Sequence, residues 1–300
     1  MTTTTQLEGS ALRKQTPGAL PKLLPLRAPV SRRRYPIALV AGAAIVLALA
    51  LVAALAPQLA PYDMARISPA DRLQPPSWEH LFGTDAFGRD LFSRVLYGSR
   101  LSLAVAVLAV VIAALPGILV GVLAGMYTGI VESLLTRLMD AWIAVPSLLL
   151  AVVMAAALGR SSLVLALALG LVGVSTYYRQ ARAETLLVRG ALYVEAARAL
   201  GCPELHTLRH HVLPNVLPSL LVLVSLRIGA MLLAVSALGF IGLGAPPPEP
   251  EWGALLAEGR DYLRQAWWLT FFPGLAIALT TFGLNLLGDG LRDALDPRRS

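Results

Sequence analysis

The sequence predicts an all-α integral membrane protein with six transmembrane helices. Three observations carry that expectation. Hydrophobic residues make up 56% of the 300 and charged residues only 14%, where a soluble domain carries about a quarter charged. Six segments are apolar over about the 20 residues that a helix needs to cross hydrocarbon. Lys and Arg gather in some connections and not in others, which is how membrane topology is written into a chain.

Taken in order, residues 1–35 are rich in Thr, Pro and basic groups and read as a cytoplasmic tail. Its Arg32-Arg33-Arg34 cluster precedes a charge-free run with no convincing cleavage context, so residues 36–59 are an uncleaved first span. Residues 60–100, with five arginines and five acids, form an extracytoplasmic connector with a short helix. The core, 101–289, holds five more spans at 101–128, 141–159, 161–178, 212–236 and 266–287. The 179–215 loop carries Arg179, Arg182, Arg189, Arg198 and Arg209, and the 290–300 tail carries Arg292, Arg298 and Arg299. The positive-inside rule puts this loop and both termini in the cytoplasm.

Chemistry is sparse. Cys202 is the single cysteine, which excludes an intrachain disulfide. The net charge of +7 reports topology in so apolar a chain and does not indicate a nucleic-acid partner. No phosphate loop, zinc-protease helix or Ser-His-Asp arrangement is visible. His206, His210 and His211 lie close together, but only Cys202 and Glu204 accompany them, so no metal is expected. The chain therefore reads as non-catalytic and free of cofactors, and any ATP-driven step falls to a partner.

Gly117, Gly121 and Gly125 recur every four residues, a spacing that permits close helix contact or reflects a small-residue-rich span. Pro116 predicts a kink or local repair in the same span. Arg227 stands alone within the fifth span; it either lines a pathway or bonds helix-end carbonyls. Gly83-Thr84-Asp85 and Gly88-Arg89-Asp90 look like turns before a short polar helix, with Asp85, Arg89, Asp90 and Arg94 able to form ion pairs. Glu195-Ala196-Ala197 sits among helix formers that end at Gly201, and Pro203 can open a second short helix. This predicts a helix-turn-helix across the inner membrane face, either a moving element or a structural loop.

Glu195-Ala196-Ala197, then Gly201, then His211, Leu213 and Pro214, resemble the EAA signature of inner-membrane subunits of binding-protein-dependent ABC importers. The signature's other form has an aliphatic residue where His211 stands; the peptide branch often has histidine. The connector segment 80–103, the Leu238–Gly253 segment and the Asn285–Pro297 segment are similar to the C-type permeases of dipeptide, oligopeptide and nickel importers. The resemblance implies a type I ABC importer permease fold, with Glu195 to Gly201 as a coupling helix. It implies a second homologous permease, two ATPase subunits that bind ATP and Mg, an extracytoplasmic solute-binding protein, surrounding lipid and a bacterial inner membrane. Peptides are the cargo it favours, with nickel, metal-chelate, glutathione-like and sugar-like solutes as alternatives. An ATP-independent secondary transporter would instead show an inverted repeat and coupling-ion residues at broken midplane helices, and neither is visible. A membrane scaffold is the third class.

Overall fold

The computed structural model describes residues 35–295; residues 1–34 and 296–300, with their basic groups, lie outside the described residues. The described chain is helical: α1 Tyr35–Ala54, α2 Ala56–Leu59, α3 Leu91–Met126, α4 Ile130–Ile143, α5 Ser147–Leu158, α6 Ser162–Arg189, α7 Leu192–Ala199, α8 Glu204–Thr207, α9 Leu213–Phe240, α10 Trp252–Arg260 and α11 Trp268–Leu295. A single 3-10 turn, Pro69–Asp71, interrupts the connector. Five helices are long and apolar enough to cross a membrane, or six if α4 and α5 form one bent span.

That bend departs from the straight 141–159 span expected from the apolar run. The axes of α4 and α5 meet at 82°. Pro146 lies at the break and takes an extended ψ of 130°. Proline has no N–H for a helical bond and drives the preceding residue out of the helical region. Glu132, Arg137 and Asp140 place charges on α4, so a search for charge-free runs missed it. α3 likewise starts ten residues before the expected span, because Arg94 and Arg100 belong to the helix. The short connector helix expected from the turn motif is thus the first turns of α3, capped by the Asp90 carboxylate, which accepts from the Ser93 N–H at 2.8 Å.

Small residues bring α3 and α6 into backbone contact. A Cβ on Gly117 would lie 2.6 Å from the Val174 carbonyl oxygen, and one on Gly121 would lie 2.5 Å from that of Tyr178. The relation is reciprocal one level away, where Gly170 of α6 abuts Ile112 of α3. In lipid no hydrophobic force drives helices together, so close van der Waals packing of this kind supplies the association. Pro116 leaves α3 continuous through this contact. α1 is held on α11 in the same manner, with Gly42 on the Leu286–Leu287 backbone and Gly283 on Ile45.

The connector is tied to the bundle by charge. Asp85 Oδ2 accepts from Arg89 Nε at 2.6 Å and from Arg94 Nη1 at 2.7 Å. Glu258 of α10 accepts from Arg89 Nη2 at 2.9 Å and Arg94 Nη1 at 2.6 Å. Two cations thus meet two anions, and the Arg94 side chain is only 1% exposed. Gly83 and Gly88 hold positive φ values of 75° and 73°, and their backbones press on the Gln74 and Ser68 carbonyls, so the two turns require glycine. Trp268 of α11 closes the motif by donating its indole N–H to the Thr84 carbonyl at 3.2 Å. His80 meets Asp90 at 2.9 Å on the other side.

α10 is set by Glu251, which is fully buried and accepts from the Gly253 and Ala254 N–H groups at 2.8 and 2.9 Å. No cation pairs with it among the described residues. Burial pushes the Glu251 carboxyl above the usual carboxylate range, and its backbone hydrogen bonds pull it only part of the way back. Trp252 beside it donates its indole N–H to the Val95 carbonyl at 2.9 Å, fixing α10 to α3.

Two stability predictions follow from these contacts. Glu258→Gln removes an anion shared by two buried guanidiniums, and it is expected to cost roughly 3 kcal/mol, read as a lowered thermal midpoint of the detergent-extracted protein; unaltered melting contradicts the pairing. A carboxyl whose folded pKa is raised stabilises the fold most below its unfolded pKa and loses that contribution as pH rises through the raised value. Glu251→Gln should therefore gain in stability relative to the parent as pH rises above the unfolded carboxyl value of about 4; a pH-independent difference contradicts the buried carboxyl.

Candidate functional site

The 192–215 segment is built by local chemistry. α7 ends in a left-handed cap: Gly201 has φ +83°, its N–H donates to the Arg198 carbonyl at 2.9 Å, and the Cys202 N–H donates to the Ala197 carbonyl at 3.1 Å. These paired bonds are the Schellman arrangement, in which glycine accepts a conformation that a Cβ disfavours. Pro203 follows and caps α8. α8 does not remain a separate helix, as the turn pattern suggested, but continues through one π turn, Leu208–Val212, into α9. Pro214 gives the cause: it has no N–H to donate to His210, and its ring crowds that carbonyl, so the ladder shifts to a longer bond from Leu213 N–H to Leu208 O.

α7 has two faces. Val194 is buried in a cluster with Val122 and Met126 of α3, Ala181 of α6 and Val212, and Ala197 is buried on the same face of α7. Arg198 donates to Glu204 at 3.1 Å and reaches Met126 Sδ at 3.8 Å, clipping the turn to the helices beneath. Glu195 and Ala196 face outward. So do Leu192 at 84% exposure, Leu200 at 85% and Leu205 at 70%. Large aliphatic side chains grouped in this way on a firmly seated element mark an interaction surface. His211 is half-buried beside Tyr193, with ring centroids 6.5 Å apart, and its carbonyl accepts from Asn215 at 2.7 Å. Leu213 and Pro214 form the entry to α9. The structure thus gathers Glu195, Ala196, Ala197, Gly201, His211, Leu213 and Pro214 at one end of the bundle.

The connector motif does not join them: Gly83, Thr84, Asp85, Gly88, Arg89, Asp90 and Arg94 cluster at the start of α3, whereas α7 packs at its end. Glu258, the acid that completes the connector cluster, lies 164 residues from Arg94; nothing local in the sequence announces that pairing. His206 and His210 stack with ring centroids 4.2 Å apart. No group of three or more His, Cys, Asp or Glu side chains among the described residues is placed to hold a metal.

Arg227 sits at the middle of α9 and is exposed on the chain's surface. Among the described residues it makes no hydrogen bond to a helix-end carbonyl and no ion pair. A bare arginine at the centre of a bilayer costs about 3 kcal/mol on insertion scales, so such a group normally faces protein or an aqueous cavity. Below it, α6, α9 and α11 enclose a cleft of about 690 Å³ lined by residues that include Gln180, Glu184, Asn215, Ser219 and Arg292.

Comparison with known proteins is consistent along the chain. A family profile described as "Binding-protein-dependent transport system inner membrane component" matches residues 117–300. The "N-terminal TM domain of oligopeptide transport permease C" matches residues 34–76. A probable D,D-dipeptide transport system permease protein of Escherichia coli is 46% identical over 259 residues, covering 86% of this chain and 87% of the relative. A di/tripeptide transport system permease protein of Pseudomonas aeruginosa is 43% identical over 263 residues, covering 86% and 87%. A glutathione transport system permease protein of Salmonella typhimurium is 45% identical over 267 residues, covering 89% and 88%. With more than half of its length inside the family profile, the chain belongs to the inner-membrane components of binding-protein-dependent transport systems, as a multi-pass permease rather than an enzyme.

Proposed function

We propose that the chain forms half of the translocation pathway of an ATP-driven importer of short peptides. Its partners are a second homologous permease, two ATPase subunits that bind ATP and Mg, and an extracytoplasmic solute-binding protein. Both termini and the 179–215 loop face the cytoplasm, and the 60–90 connector and α10 face the opposite side. The observation that carries this reading is the exposed aliphatic face of α7 on a buried, packed base. It offers an ATPase groove a firm handle with Leu192, Ala196 and Leu200 outward, while Val194 and Ala197 pass displacement to α3, α6 and α9.

In this mechanism ATP binding closes the ATPase pair, and α7 moves with it. Because the Schellman cap and the Arg198–Glu204 pair fix α7 to α8, the motion reaches α9 through the π turn. The bundle then exchanges inward for outward access, and hydrolysis resets it. Binding of the partner supplies the differential free energy; no residue of this chain does chemistry. The relatives named above for dipeptides, di/tripeptides and glutathione share the chemistry of a short peptide. That favours peptide cargo over nickel or a metal chelate, and glutathione-like peptides remain the second reading.

The test is ATP-driven uptake of a labelled di- and tripeptide panel by proteoliposomes holding the permease pair, the ATPases and the binding protein. Gly201 supplies the coupling control. A Cβ there would touch nothing within 4 Å, so substitution acts through backbone strain alone. Gly201→Val should lower uptake at least about tenfold with the complex assembled, and Gly201→Asn, which tolerates a left-handed backbone, should retain most of it. Uptake that proceeds without ATP contradicts the importer reading, and equal loss in both variants contradicts the role of the cap.

A further inference from the structure

Peptide cargo carries a terminal carboxylate through the membrane, and the pathway must receive that charge away from water. We propose that Arg227 is the cation of a cargo subsite that binds this carboxylate at the head of the cleft between α6, α9 and α11. The inference rests on the peptide-import reading and adds the residue and the ligand group.

Leu223 and Leu226 form part of the cleft wall. Arg227 follows Leu226 and stands one helical turn beyond Leu223 on the same side of α9. Tyr177, one turn before Gln180 and two before Glu184 on α6, belongs to a buried cluster against which Leu223, Val224 and Ile228 of α9 pack, the residues on either side of Arg227. Its hydroxyl is buried without a hydrogen-bond partner among the described residues. The α9 residues that line the cleft recur turn by turn, Asn215, Ser219 and Leu223, and Arg227 is the next position in that four-residue series, just beyond the lining. The guanidinium is exposed and unpaired among the described residues. Arg89, Arg94 and Arg182, by contrast, each have a carboxylate.

Guanidinium suits the role. Its planar fork takes a carboxylate through two parallel hydrogen bonds, and it stays charged at any working pH. The cleft volume of about 690 Å³ falls within the range of small-molecule sites, which accommodates a di- or tripeptide. Carboxylate recognition also leaves the peptide's side chains free of this contact, so one permease serves a varied cargo and the binding protein selects it.

The test uses the reconstituted importer and a tripeptide whose C-terminal residue carries a photoreactive diazirine. In wild-type complexes, illumination during ATP-driven uptake should place adducts on α9 between residues 223 and 231. Arg227→Gln should lower uptake of the free-acid peptide at least tenfold and remove those adducts with assembly unchanged. Arg227→Lys should keep at least a third of the uptake, and Tyr177→Phe should lower it less than Arg227→Gln. Wild-type-like uptake in Arg227→Gln overturns the proposal, as does loss of the permease pair in that variant, which makes Arg227 a bond to the partner permease. Adducts confined to other helices overturn it as well. A wild-type complex that imports no peptide overturns the import reading itself, a separate outcome.

Discussion

The bundle is built on the backbone contact of α3 with α6. Gly117 and Gly121 place α3 against the Val174 and Tyr178 carbonyls, and Gly170 returns the contact from α6. Larger residues would separate the helices, and in lipid nothing would draw them back except the packing they had lost. α3 runs 36 residues, about 54 Å at 1.5 Å per residue. It is therefore a rod longer than the hydrocarbon is thick, clamped along its middle.

Each end of that rod carries one of the chain's polar assemblies. At its start, Arg94 and Arg89 are neutralised by Asp85 and Glu258, which fastens the connector and α10. At its end, Met126 lies under α7 with Val194 packed beside it. A displacement of α7 is therefore not absorbed locally: it meets α3, α6 and the first turns of α9 together. Interiors packed this tightly move as units rather than deform, which is what an ATP-driven change of access demands. The same packing explains why Arg227 is conspicuous. It is an unpaired mid-helix charge among the described residues, on a bundle where Arg94 and Arg182 each meet a carboxylate.

Much of this was legible in the residues. The apolar runs announced the long helices, and Gly201 with Pro203 announced the cap and the restart that the structure contains. Boundaries were lost where a helix carries charges that the fold later neutralises. Arg94 hid the start of α3, and Arg182, paired with Glu132 of α4, hid the lower half of α6. Pro146 was in plain view, yet an uninterrupted apolar run across it outweighed its meaning. The π turn had a local cause in Pro214 and could have been expected from it. Glu258 had no such signal, because its partners lie on the far side of four spans' worth of sequence.

The central claim is that the outer face of α7 is the surface an ATPase subunit covers. Labelling of Ala196→Cys by a soluble maleimide, in a Cys202→Ser background, tests it most directly. Ala196 is exposed in the chain alone and should label readily in the isolated permease. In the assembled transporter the account predicts a rate at least tenfold lower, restored when the ATPases are stripped away. An unchanged rate on assembly, with the complex intact and active, would contradict it.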